Sequence, residues 1–454
     1  MRIHFIAIGG AAMHNLAIAL STKDGYIVTG SDDEIFDPAK SHLEEYGLLP
    51  DQIGWHTERI TPDLDAVILG MHAREDNAEL IRAKELGIPI YSFPEYLYEQ
   101  TKDKIRIVVG GSHGKTTTTA MILHSLQQLG IESDYMVGAG IANFDRMVRL
   151  SDTAKVAVFE GDEYLTSPLD HRSKFLLYHP NIAILTGIAW DHINVFPTFE
   201  EYVETFRKFV GLIEPNGEFI YFEGDANLCK LADDARTDIK RHPYKTLPYK
   251  VKNSVVCLEY PEELPLRIFG EHNLQNMHAA AIAIERLVAM LKIDISKKQI
   301  YEALSSFGGA KNRLEKIFDN NNLVVFKDFA HSPSKLLATV HAVRQQYPKK
   351  RLVACMELHT FSSLMSDFLP HYKGCMKEAD TAFVYYNPEV VAHKKLATIT
   401  PEQVEEGFGG GVEVFTDSKQ LKSRLEQLDY SNTVLLLMSS GTFDGLQFNE
   451  IFER

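Results

Sequence analysis

Residues 2–8 (Arg-Ile-His-Phe-Ile-Ala-Ile) form a nearly continuous apolar run, which predicts a strand covered on both faces. Gly9-Gly10 predicts a turn, and 11–21 a helix. A second strand is expected over 26–29, ending at Gly30-Ser31-Asp32. Apolar strands then alternate with helical stretches, with strand 66–69, helix 78–86 and strand 88–91. This is the βαβ rhythm of a parallel sheet.

A new unit starts near Lys104, with a strand over 105–109, a glycine-rich loop over 110–114 and a helix over 116–129. Strands at 156–160 and 182–186 and a long, Ala-rich helix over 272–291 follow. A third unit begins near 310, with strand 322–327, helix 334–346, strand 352–356 and further alternation to strand 433–438. There is no internal repeat and no low-complexity segment. A chain of 454 residues is too long for one core and is expected to form about three domains. The pattern places them at 1–103, 104–309 and 310–454.

Charge narrows the partners. A net charge of −15 disfavours nucleic acid, whose phosphates are held by Lys and Arg. It leaves room for a small anion, because a nest of backbone N–H groups binds phosphate whatever the global charge. The four cysteines, at 229, 257, 355 and 375, show no metal-binding spacing and are expected to be reduced thiols. The first apolar run is interrupted by Gly9-Gly10 and by His14-Asn15, so it reads as strand, turn and helix rather than as a secretory leader. No apolar run reaches the roughly 18 residues that would span a bilayer. A cytoplasmic protein, a monomer or weak dimer, is expected.

The strongest chemical signal is Gly110-Gly111-Ser112-His113-Gly114-Lys115-Thr116, between an apolar strand and a helix. That context suits a phosphate loop: glycines let backbone N–H groups curl round a phosphate, and a helix N-terminus adds its positive end. Lys115 would neutralise the β- and γ-phosphates, and the Thr116 hydroxyl would ligate magnesium. The loop is a shortened variant, with Val109 where the longer pattern has glycine.

The run 111–119, Gly-Ser-His-Gly-Lys-Thr-Thr-Thr-Thr, resembles the nucleotide loop of the Mur ligases, which build the peptidoglycan precursor. Glu160-Gly161-Asp162-Glu163 resembles their acidic strand-end motif, with Gly161 where the family usually has Ala. Asp191-His192, Gly270-Glu271-His272-Asn273-Leu274-Gln275-Asn276 and Asp328-Phe329-Ala330-His331-Ser332-Pro333 follow in family order. The resemblance implies a Rossmann-like N-terminal domain for a UDP-sugar, a P-loop-type central ATPase domain and a Rossmann-like C-terminal domain for an amino acid or peptide. It implies an amide-forming ligase that uses ATP and Mg2+, with Mn2+ as a substitute, on UDP-N-acetylmuramate.

Within the family, Asp162-Glu163-Tyr164, the segment 170–175 and the terminal segment 438–446 resemble the branch that adds L-Ala-γ-D-Glu-meso-diaminopimelate in peptidoglycan recycling. The alternative is the branch that adds L-alanine. The resemblance assigns Gly111, Ser112, His113, Gly114, Lys115, Thr116, Thr117, Asn273, Asn276, Arg313 and Asp328 to ATP. It assigns Thr116, Glu160 and His192 to metal; Lys115, Glu160 and His192 to catalysis; and Phe329, His331 and His359 to the acceptor. Gly9, Gly10, Ser31, Asp32 and His72 are assigned to the UDP-sugar, with Asn77 near the sugar.

Two features depart from the pattern. Ligases for L-alanine usually carry arginines where this chain has Met356 to Ser363, and none is present; this counts against L-alanine and is compatible with a longer peptide, although the tripeptide branch commonly has Arg at the position of His359. The carbamylated lysine of several family members would fall at Thr205 or Phe206, so no carbamate is expected. The first turn also carries part of a dinucleotide fingerprint, with Asp32 placed for a ribose, which leaves a nicotinamide oxidoreductase as a reading from a different class.

Overall fold

The apolar run 66–69 and the largely apolar runs 156–160, which ends in Glu160, and 433–438, which begins with Thr433, are strands Ala66–Leu69, Val156–Glu160 and Thr433–Met438 in the computed structural model, with every residue buried. The structure describes all residues except 72, 139, 142, 143, 145, 168, 191–194, 253, 254, 260–262, 453 and 454, and the side chains of Asn449 and Phe452. The chain packs as two compact units, one of residues 1–188, 195–245 and 276–304, the other of 189–194, 246–275 and 305–454. Helix Glu271–Leu291 is divided between them.

Among the described residues, the first unit holds two sheets. The smaller is parallel, in the order Ile27–Ser31, Arg2–Ile6, Ala66–Leu69, Ile90–Ser92. Its first strand ends at Ile6, two residues short of the apolar run, because Ala7 takes φ 67°. The chain lifts off the sheet there, and Ala7 N and Ile8 N both donate to Ser31 O, at 2.9 and 3.1 Å. Apolarity marks burial in this segment but not the strand end, since Ala7 and Ile8 stay buried in the turn.

The larger sheet runs Lys240–Tyr244, Glu218–Phe222, Ile182–Leu185, Ile105–Gly110, Val156–Glu160, Ser133–Met136, Val148–Arg149. All neighbours are parallel except the last pair. After Ile105–Gly110 the chain builds one side of the sheet and then returns to the other, so the strand feeding the glycine loop lies at a topological switch point, where such sheets open a crevice. Buried Arg106 anchors its base, donating to the carbonyls of Tyr178, Thr101 and Lys102 and pairing with Glu214 at 2.9 Å. Phe5, Leu16 and Leu20 share one apolar core with Val108, Phe159 and Phe175, so the two sheets are packed together.

In the second unit a six-stranded sheet runs Glu315–Asp319, Leu323–Asp328, Thr433–Met438, Arg351–Glu357, Thr381–Tyr385, Glu413–Phe415, with only its first strand antiparallel. A three-stranded antiparallel sheet, Tyr249–Lys252, Val255–Leu258 and Leu264–Pro265, has no counterpart in the sequence reading. Its first strand alternates lysines on a half-exposed ribbon and lacks the apolar run that marks the others. Among the described residues no helix is long and apolar enough to cross a membrane.

Candidate active site

The glycine loop connects strand Ile105–Gly110 to helix Lys115–Gln128. Two of its glycines are required by their surroundings. Gly111 has φ 126°, and a Cβ there would fall 2.3 Å from Thr186 Oγ1. Gly114 has φ 77°, and its Cβ would fall 2.3 Å from Asn276 Oδ1. The loop is tied to the next strand end: Ser112 N donates to Gly187 O at 2.9 Å, and the Thr186 hydroxyl bonds Gly110 O and His113 O. The helix starts without a side-chain cap. A helix start presents N–H groups with no partner inside the helix, at its positive end. Thr116 and Thr117 lie in that first turn, both buried.

Lys115 Nζ donates to Gly111 O at 2.6 Å and to Glu163 Oε2 at 2.7 Å. Glu163 is fully buried, and its other oxygen accepts from the Tyr202 hydroxyl at 3.1 Å. That hydroxyl also meets Ser112 Oγ at 3.0 Å. Burial pulls the Lys115 ammonium down, but the carboxylates of Glu163, Asp162 and Glu160 outweigh it, so its pKa lies above the ordinary value. Burial likewise pushes the Asp162 carboxyl up, and Lys174 and Lys115 reverse this, holding it below the usual range. Lys174 reaches Asp162 at 2.6 Å.

Glu160 ends strand Val156–Glu160 with both oxygens engaged: Oε1 accepts from the Thr116 hydroxyl at 2.8 Å, and Oε2 from Gly138 N at 2.8 Å. No cluster of three or more His, Cys, Asp or Glu that could cage a metal is found among the described residues. A hydroxyl and one carboxylate beside a phosphate loop is the hard-oxygen set magnesium uses when substrate phosphates and water complete its shell. The residues present therefore fit Mg2+.

Other sequence-derived candidates divide by unit. In the first, Gly9 N donates to Asp32 Oδ2 at 2.7 Å. Burial pushes the Asp32 carboxyl up to about 6, aided by Asp33 and opposed by the Gly9 N–H. Ser31 Oγ accepts from Arg59 at 2.9 Å. Asn77 caps helix Ala78–Glu85, accepting from Leu80 N at 3.0 Å. Gly10 immediately precedes helix Ala11–Ser21, and Asn276 lies against Gly114. His72, Asp191 and His192 lie outside the described residues. Thr205 and Phe206 sit in helix Phe199–Gly211, where the Thr205 hydroxyl bonds Glu201 O and Phe206 lies in the core.

In the second unit Asn273 is buried and donates to Phe269 O at 2.8 Å. Asp328 fastens two turns, accepting from Leu314 N and Ala330 N, each at 2.7 Å. The Arg313 guanidinium lies 4.5 Å from the centre of the Phe329 ring, and Phe329 meets the His331 ring edge-on at 5.1 Å. Asp328, Arg313, Phe329 and His331 therefore form one cluster at the end of strand Leu323–Asp328. His359 lies 3.7 Å from the buried carboxylate of Glu357. The sequence offers Glu163, Lys174 and Glu357 only as members of longer motif segments, and it gives no signal for Tyr202, whose partners Glu163 and Ser112 lie 39 and 90 residues away.

A phosphate loop at the switch point of a parallel sheet, with a lysine, a threonine and acidic strand-end residues gathered on it, defines a nucleotide-dependent enzyme. Family models agree with that class over nearly the whole chain: Mur ligase family, catalytic domain, over 2–104; Mur ligase middle domain over 109–284; and Mur ligase, glutamate ligase domain, over 312–441. The chain belongs to the Mur ligase family and is an ATP-dependent ligase that forms C–N bonds.

It is 30% identical over 382 residues to UDP-N-acetylmuramate–L-alanine ligase of Clostridium kluyveri, covering 81% of this chain and 79% of that one. It is 29% identical over 460 residues to UDP-N-acetylmuramate–L-alanyl-gamma-D-glutamyl-meso-2,6-diaminoheptandioate ligase of Escherichia coli (strain K12), covering 98% and 96%. The fold is shared with a murein peptide ligase from Psychrobacter arcticus (TM-score 0.65, 24% identity, 100% of this chain and 98% of that one). It is also shared with the UDP-N-acetylmuramate–alanine ligase from Thermotoga maritima (TM-score 0.70, 22% identity, 100% and 99%). Membership in a ligase family decides against the nicotinamide reading of the first glycine turn.

Proposed function

We propose that this ligase joins the lactyl carboxylate of UDP-N-acetylmuramate to the amine of L-Ala-γ-D-Glu-meso-diaminopimelate, in cytoplasmic peptidoglycan recycling. The observation that carries the chemistry is the pairing of Thr116 with Glu160 and of Lys115 with Glu163 on one glycine loop.

A carboxylate does not condense with an amine in water, because its oxygen is a poor leaving group. Transfer of the ATP γ-phosphoryl group to that carboxylate gives an acyl phosphate. The amine attacks the carbonyl carbon, loses a proton and expels inorganic phosphate. Negative charge develops on crowded oxygens in each step, so catalysis is mostly positioning and charge stabilisation.

In this reading Gly111, Ser112, His113, Gly114 and Thr117 surround the phosphates, and the Lys115 ammonium, held charged by its acidic neighbours, neutralises them. Thr116 and Glu160 would hold Mg2+ or Mn2+, which when bound offsets charge on the β- and γ-phosphates. His192 is assigned to a metal by sequence alone. Asn273 and Asn276 contact the adenine, Asp328 the ribose and Arg313 the γ-phosphate. Residues 1–103 hold the UDP-sugar through Gly9, Gly10, Ser31, Asp32 and His72; 104–309 hold ATP; and 310–454 hold the acceptor beside Phe329, His331 and His359.

The tripeptide is preferred as acceptor because Met356 to Ser363 carries no arginine to grip a single amino acid's carboxylate. The second reading is L-alanine, favoured by the likeness to ligases named for it. The test measures phosphate release with ATP, Mg2+ and UDP-N-acetylmuramate, adding either free L-alanine or the tripeptide. Release that requires the tripeptide supports the proposal; release with L-alanine and none with the tripeptide overturns it.

A further inference from the structure

Asn15 lies in the second turn of helix Ala11–Ser21, buried, with all of its amide engaged. Its Oδ1 accepts from Met147 N at 3.1 Å. Its Nδ2 donates to Ala11 O and to His14 Nε2, both at 2.9 Å. A backbone N–H only donates, so the partners dictate which end of the amide is oxygen. His14 Nε2 must then be bare, and the proton sits on Nδ1, which donates to Gly10 O at 3.0 Å. Burial, chiefly, and the adjacent His42 hold the His14 imidazole below its usual value, outweighing the Gly10 bond and keeping the ring neutral as this arrangement requires.

The links continue beyond Met147. Its carbonyl accepts from Val137 N at 3.0 Å, and strand Val148–Arg149 pairs with Ser133–Met136. The next residue, Gly138, donates to Glu160 Oε2 at 2.8 Å, and Glu160 Oε1 accepts from Thr116 at 2.8 Å. Hydrogen bonds and short backbone steps thus run from the Gly9-Gly10 turn of the smaller sheet to the phosphate loop of the larger. Asn15 is the side chain that crosses between the sheets on this path.

We infer that Asn15 is a positioning residue coupling the two nucleotide sites: a sugar-nucleotide diphosphate on the Gly9-Gly10 turn sets the carboxylate of Glu160, and with it the affinity for metal-bound triphosphate. This rests on the functional reading above. A diphosphate ordering Gly10 orders the first turns of its helix, and the Asn15–Met147 bond passes that order to the strand pair ending at Gly138. Coupling between binding sites is reciprocal, so each ligand tightens the other by the same factor.

The test is calorimetry on the full chain with Mg2+ and β,γ-methylene ATP, with and without UDP-N-acetylmuramate and with no acceptor. In the wild type each ligand is expected to tighten the other about five-fold or more, the lower end of typical coupling. Asn15→Leu is expected to bring that factor to about one, while leaving each ligand's affinity alone within about three-fold, as coupling and intrinsic binding separate. Asn15→Asp, which keeps an acceptor for Met147, is expected to retain the factor. A role confined to holding the sheets together would lower the melting temperature without changing the factor. Should the Leu variant not fold, Asn15→Ser, whose hydroxyl falls short of Met147, provides the same comparison. A wild-type factor of about one, or a folded Leu or Ser variant with the full factor, overturns the inference. Failure of the wild type to bind either ligand instead overturns the functional reading on which it stands.

Discussion

Lys115 and Glu163 form an ion pair at 2.7 Å in which the acid is fully buried. The pair holds the lysine over its own loop, against Gly111 O, and the charge that would serve a triphosphate is maintained by the protein before any nucleotide arrives. Removing the acid leaves a buried ammonium without its main counter-charge. Glu163→Ala is expected to lower the unfolding free energy by about 3–5 kcal/mol, measured by urea denaturation. Lys115→Ala is expected to reduce turnover by about a hundred-fold or more, read as phosphate release. A Lys115→Ala enzyme with wild-type turnover would remove Lys115 from the chemistry.

Gly114 has two independent reasons to be glycine, its φ of 77° and the Asn276 side chain beside it. Gly114→Ala is expected to cost about 1–3 kcal/mol in strain and to weaken ATP binding. Adding Asn276→Ala removes the collision but not the dihedral strain, so the double variant should recover part of the stability. A double variant no more stable than the single one would show that the contact with Asn276 is irrelevant.

Glu160, proposed above as the carboxylate of the magnesium set, accepts from the Thr116 hydroxyl and, through Gly138 N, anchors a neighbouring loop. Glu160→Gln keeps the shape and loses the charge. The Mg2+ concentration for half-maximal phosphate release should rise about 10–100-fold, the range typical of losing a supporting interaction at a metal site. An unchanged magnesium curve would exclude Glu160 from the metal.

Burial pushes the Asp32 carboxyl up to about 6 in the folded protein, against about 3.9 for a free aspartate. The folded state therefore binds this proton more tightly than the unfolded chain. The group favours folding at low pH and opposes it increasingly as pH rises from about 4 through about 6. Asp32→Asn keeps an acceptor for Gly9 N and removes the buried charge. Its stability relative to wild type should increase across that window and level off near pH 7, with a gain of about 1–3 kcal/mol. A difference that is flat from pH 4 to 7 would refute the shifted carboxyl.

The sequence by itself determined the α/β class, most strands and helices of the parallel sheets, and the phosphate loop. Continuous apolar runs and glycines are local signals, so strand Val156–Glu160 was legible to the residue. Weak local signals misled or were silent: the strand over 2–8 is shorter because of one positive φ at Ala7, and the lysine-rich ribbon from Tyr249 has no apolar run to mark it. Only the tertiary structure decided who meets whom. Lys115 finds Glu163, 48 residues away, and Asn15 finds Met147, 132 residues away. These contacts follow from sheet order and side-chain direction, which bring remote segments together and leave no trace in the periodicity of either one.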